Sequence, residues 1–148
     1  MIVTTARDRS SYATHEAGHV VIAEHFGGKL VFASADKFLD RDGIALSSFT
    51  AQLTLWQLAV RKAGGIAAEL YRSGFSRHGS QDEADLAALG ISIDAALRDA
   101  KAIIAAKEAR FSAIEAALIQ HGTVNGNLEP ATDTEKLEAQ NTVKRGAA

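Results

Sequence analysis

The run His15-Glu16-Ala17-Gly18-His19, inside the segment ATHEAGHVVIAEHFGG (13–28), constrains this chain more than any other feature. On an α-helix, positions i and i+4 lie one above the other on the same face, so His15 and His19 can aim ring nitrogens at one point in space. Glu16, one residue further round the helix, cannot share that point equally, but its carboxylate can reach a water held there and take its proton. The pattern therefore asks for a helix, a further ligand from elsewhere in the chain, and a fold that brings them together. The competing reading is an ordinary helix with one histidine settled in the core and the other solvated. Ala17 and Gly18 favour the metal site, because small residues let another element approach the helix closely.

The chain contains no cysteine, so a disulfide framework and thiolate ligation are both excluded, and an ion would be held by imidazole and carboxylate. Zinc in such a site lowers the pKa of a water to roughly 7 and polarises a carbonyl, which is the chemistry of hydrolysis. The 148 residues are the ordinary size of one compact domain, and a net charge of −2 offers no footprint for nucleic acid. No apolar run approaches the ~20 residues of a membrane helix, and MIVTTARDRS lacks the apolar stretch of a signal peptide. The expectation is a chain neither anchored nor exported, with no membrane partner and a composition suited to the cytoplasm.

Helix signals bracket a short β-like insert. Ser10 or Ser11 is expected to cap the first helix, which runs to Phe26, where Gly27 and Gly28 end it. LVFASADKF and GIALSSF, joined by LDRDG, read as a β-hairpin. From Thr50 to Gly74 apolar residues recur at helical spacing. Ser80 with Glu83 suggests a capping box opening a short helix through Leu89, and Ser92 is expected to cap one last long helix to about His121. In that helix Ile93, Leu97, Ala100, Ile104, Phe111, Ile114 and Leu118 form an apolar stripe with Lys107 as its lone polar member. The segment 123–148 reads as a polar tail, partly disordered, outside a single domain over 1–122.

His25 sits where some zinc proteases place a third histidine, but those enzymes turn the chain at a glycine, and the corresponding position here is Ile22. A continuing helix carries His25 off the shared face, leaving it to complement the helix C-terminus.

HEAGHVV followed by KAGGIAAELYRSGFSRHGSQDEADL resembles the peptidase domain of FtsH-type ATP-dependent zinc proteases, over about residues 12–90. The resemblance implies that His15 and His19 bind zinc with a distal Asp, that Glu16 is the catalytic base, and that Glu69 matches the first Glu of the family's AEEL motif. The chain departs from the family in having no ATPase module and no membrane segment, and in having Leu70 for the second Glu. The ligand Asp is Asp82 or Asp85; neither keeps the family's spacing from Gly79, and Asp82 is preferred. For Asp82 the alternative is compensation of the helix dipole, and for Glu69 it is a plain solvated carboxylate rather than support for a ligand. His78 can donate to an oxyanion or be a solvated loop histidine, and His121 complements the dipole of its helix.

The expected fold is a mostly helical α+β domain, zincin-like, with a small β-hairpin beside the HExxH helix. The expected activity is zinc-dependent hydrolysis of an unfolded or extended polypeptide, with Glu16 as base. A metal-binding interaction or regulatory module of the same fold, without turnover, is the alternative.

Overall fold

The helix that carries the histidine motif is enclosed on nearly every side, and the other elements are arranged around it. In the computed structural model, which describes residues 5–146, this helix is α1 (Thr5–His25). Ala13, Ala17, Val20, Val21 and Ile22 on it have no exposed surface. It starts before the serines expected to cap it. Nothing in TARDRS breaks a helix, and the Ser11 hydroxyl is engaged with His78 Nε2 at 2.8 Å instead of closing a helix end. The N-terminal segment judged against a signal peptide falls in part on residues 1–4, outside the described residues.

Strands β1 (Lys29–Ser34) and β2 (Ile44–Ser48) form the expected antiparallel hairpin, with Ser34 opposite Ile44. Helix α2 (Leu55–Ser73) is closed at its start by a reciprocal Thr54–Gln57 capping box. It ends at Gly74, whose φ of 84° is the left-handed cap that glycine adopts most easily. Helix α3 (Ser80–Ala88) is capped by Gly79 and not by a Ser80–Glu83 box. Gly79 is buried against Ile66, so packing sets the entry of this helix and Ser80 already lies within it.

The long last helix is two helices, α4 (Ile93–Ala106) and α5 (Glu108–His121), hinged at Lys107 with φ −118° and ψ 32°. The reason is tertiary. α4 packs on α2 while α5 packs on α1, and one straight rod cannot follow both. The apolar stripe survives the break, since Ala100, Ile104, Phe111, Ile114 and Leu118 are all fully buried.

The segment expected to be a partly disordered tail is built into the fold. Thr123–Asn125 forms β3, pairs with β1 and completes a sheet of order β2-β1-β3, with Val124 fully buried. Helix α6 (Asp133–Lys144) follows from a Thr132–Glu135 capping box. Its Ala139 joins Phe32, Phe38, Ile44 and Leu46 in a second apolar cluster beside the main core. Residues 147–148 of the expected tail lie outside the described residues. The class is α+β and mostly helical, as expected, and among the described residues no helix is long and apolar enough to cross a membrane.

Two glycines bring α1 and α2 into backbone contact. A methyl group on Gly18 would overlap the carbonyl oxygen of Gly64, and one on Gly64 would come within 2.9 Å of Ile22 Cγ1. The close crossing sets the histidine-bearing face of α1 directly against the middle of α2.

Candidate metal centre

Three ligand-type atoms from two helices converge at the mouth of this crossing. His15 Nε2 stands 3.0 Å from Asp82 Oδ2, His19 Nε2 stands 3.0 Å from the same oxygen, and the two nitrogens are 3.1 Å apart. The histidines come from α1 and Asp82 from the first turn of α3. Donor atoms ~2.0–2.1 Å from a tetrahedral zinc stand roughly 3.3 Å from one another, so this triangle is nearly the face of such a site.

The far sides of both rings fix which nitrogen carries hydrogen. His19 Nδ1 lies 2.9 Å from the carbonyl oxygen of Arg61, and a carbonyl only accepts, so Nδ1 carries the proton. His15 Nδ1 lies 2.7 Å from Glu69 Oε2. Glu69 is itself an acceptor, taking the backbone N–H of Arg77 at 2.7 Å, that of His78 at 3.2 Å and the Ser76 hydroxyl at 3.2 Å. Burial opposes the charge on Glu69, but its bonds to His15 and the Arg77 N–H outweigh this and hold the carboxyl below its usual range. In their neutral forms both imidazoles therefore present Nε2 lone pairs to a carboxylate oxygen. Three acceptors within 3.1 Å of one another require a cation between them, either a proton or a metal ion.

The charges agree with this. Burial works against a charged His15, yet hydrogen bonds to Asp82 and Glu69 and the nearby Glu16 push it up to about 10. Burial likewise opposes charge on Asp82, and the bonds from His15 and His19 hold it well below the usual carboxylate range. The group His15, His19 and Asp82 could hold a metal ion. Its donor set of two imidazoles and one carboxylate is of the kind that divalent first-row metals take.

A cavity of about 410 Å³ opens on the cluster, and Glu16 lines its wall. Glu16 is 6% exposed, and a methyl group on Gly43, just before β2, would come 2.8 Å from its Oε2. Burial pushes Glu16 up from the ordinary carboxylate range, against the pull of His19 and His15. A carboxylate raised in this way is a stronger base for a proton at the cavity wall.

The other residues singled out in the sequence are divided between this site and the rest of the molecule. Asp85 does not join the cluster; its carboxylate pairs with Lys62 Nζ at 3.1 Å and accepts from Gln81 at 2.9 Å. One helical turn separates it from Asp82, and that turn points it along α2 and not at the histidines. Glu69 is no solvated glutamate but a 3% exposed support for His15. His78 is half-buried, stacked on Tyr12 with ring centroids 3.8 Å apart, and burial lowers its pKa. His25 lies exposed at the end of α1, edge-on to Phe26, and His121 sits in the last turn of α5. Two contributors were not singled out by the sequence. One is the Arg61 carbonyl, since a backbone atom leaves no residue type to read. The other is Gly65, where a methyl group would overlap the His15 ring. A pair of adjacent glycines inside a confidently helical stretch was the available hint.

Compared with known proteins, the chain matches no family model and no curated sequence.

Proposed function

We propose that this chain is a zinc-dependent peptidase, with a site like that of FtsH-type peptidase domains. His15, His19 and Asp82 hold the ion and Glu16 is the general base. The observation that carries the reading is the convergence of two Nε2 lone pairs and Asp82 Oδ2, with both far ring nitrogens already committed. When bound, zinc would supply Lewis-acid polarisation of a scissile carbonyl and acidify a water beside Glu16. Glu16 accepts the proton of the attacking water and returns it to the departing amine, a transfer suited to its raised pKa. Glu69 and the Arg61 carbonyl keep the two rings from turning while this happens. An extended polypeptide is the natural substrate, because β2 is an edge strand and Gly43 and Ala45 on its line form part of the cavity wall.

Elemental analysis of the purified protein should find about one zinc per chain, and an unstructured polypeptide such as casein should be cut in a chelator-sensitive reaction. A protein that takes up no zinc even on reconstitution is not this enzyme.

A further inference from the structure

Among the described residues, the half-buried arginines are matched to carboxylates with one exception. Arg9 pairs with Asp36 at 2.8 Å and Arg110 with Glu24 at 2.7 Å. Arg61, half-buried on α2, has no carboxylate or hydrogen-bond partner for its guanidinium among the described residues. It lies over the Phe49 ring, 5.3 Å from the centroid, and lines the same cavity as Glu16 and the histidines. Burial alone acts on it, lowering its pKa from the ordinary value. Among the described residues no buried side-chain nitrogen lacks a partner, so the unpaired N–H groups of Arg61 reach solvent, and Arg61 lines the cavity. Its neighbour Lys62 is already matched by Asp85. The carboxylates on the cavity wall do not answer Arg61 either: Asp82 belongs to the ion cluster, Glu16 is buried beside it, and Asp42 is exposed. A second guanidinium, that of Arg77, also lines the cavity and lies over the Phe75 ring.

We propose that Arg61 is a carboxylate anchor, selecting polypeptides that present an acidic side chain or a free chain terminus beside the bond to be cut. The planar fork of a guanidinium matches a carboxylate through two parallel N–H donations, and partial burial strengthens that pairing. The anchor rests on the peptidase reading for its substrate class, but the unpaired cation itself does not. Its position on α2 is rigid, since the same residue's carbonyl is held by His19 Nδ1.

The test uses the zinc-loaded full chain carrying Glu16→Gln, so that peptides bind without being cut. Fluorescence anisotropy compares peptides differing only by Glu or Gln near the central bond, each with a free or an amidated C-terminus. The member bearing the recognised carboxylate should bind roughly tenfold tighter. Whichever carboxylate carries the preference identifies its source. Adding Arg61→Gln should bring the pair to equal affinity, while Arg61→Lys, which keeps the charge, should retain a preference. Equal binding of all four peptides, or a preference that survives Arg61→Gln, overturns the anchor. Parallel hydrolysis by the wild-type chain separates the two proposals. Cutting without discrimination removes the anchor and leaves the peptidase, whereas carboxylate-dependent binding with no cutting removes the peptidase and leaves the anchor.

Discussion

Two acceptors with no freedom of their own, the Arg61 carbonyl and the Glu69 carboxylate, decide what the imidazoles offer to the cavity. The outcome of substituting each residue follows from its role. Glu16→Gln keeps size and polarity but removes the base, so zinc content should be unchanged while hydrolysis falls ~10²- to 10⁴-fold. Activity that survives this change would show that Glu16 does not carry the proton. Asp82→Asn weakens the one anionic ligand and should lower zinc affinity sharply, by an order of magnitude or more. Asp85→Asn touches only the partly exposed contacts with Lys62 and Gln81 and should change it little. Competition with a chromophoric chelator measures both, and equal losses would contradict the geometry. At this scale the histidine pair was legible because i, i+4 spacing on a helix is a geometric statement in itself. Asp82 and Asp85 were not separable by counting, because which face of α3 meets α1 depends on how Gly79 seats against Ile66.

Among the elements, the crossing of α1 and α2 is what places the rings. Gly18 and Gly64 let the backbones touch, and Gly65 leaves the space that the His15 ring fills. Gly65→Ala therefore carries two opposing effects. Alanine is a better helix former by ~1 kcal/mol, but the added methyl drives into an imidazole held on its other side by Glu69. The overlap wins, and the variant should lose zinc affinity by ~10- to 100-fold while staying folded by circular dichroism. An unimpaired site in this variant would mean that the ring has room the crossing does not provide. Helix and hairpin positions were legible where local chemistry decides them, as at Gly74 and the alternating residues of β1 and β2, whereas α2, expected from Thr50, starts only at Leu55, where the Thr54–Gln57 capping box closes it. The break at Lys107 was not legible, because its cause is the diverging directions of α2 and α1 beneath it. The last strand and helix were not legible, although Thr132 and Glu135 stand at capping-box spacing. The polar composition of that segment hid the single buried positions Val124 and Ala139 that tie it down.

For the molecule as a whole, the proposed ion site links metal binding to folding. Without zinc, a proton must settle the three acceptors, and His15 is pushed from 6.5 up to about 10 for that reason, its bonds to Asp82 and Glu69 overcoming burial. A ring whose folded pKa exceeds its unfolded one stabilises fully below about 6.5 and loses that contribution as pH rises toward about 10. The chelated protein should accordingly show a falling Tm across this interval, whereas the zinc-loaded protein should hold a nearly constant one. Parallel slopes in the two forms would show that no shared cation links these groups. The three sides of the cage are also unequally anchored. The histidines ride on the enclosed α1, but α3 buries only Leu86 fully, so the side bearing Asp82 is its least secured wall. On the proposed reading, loading and loss of the ion belong to α3, the wall held by the fewest buried side chains. Stripping the metal should quicken amide hydrogen exchange in α3 and leave the centre of α1 as slow as before.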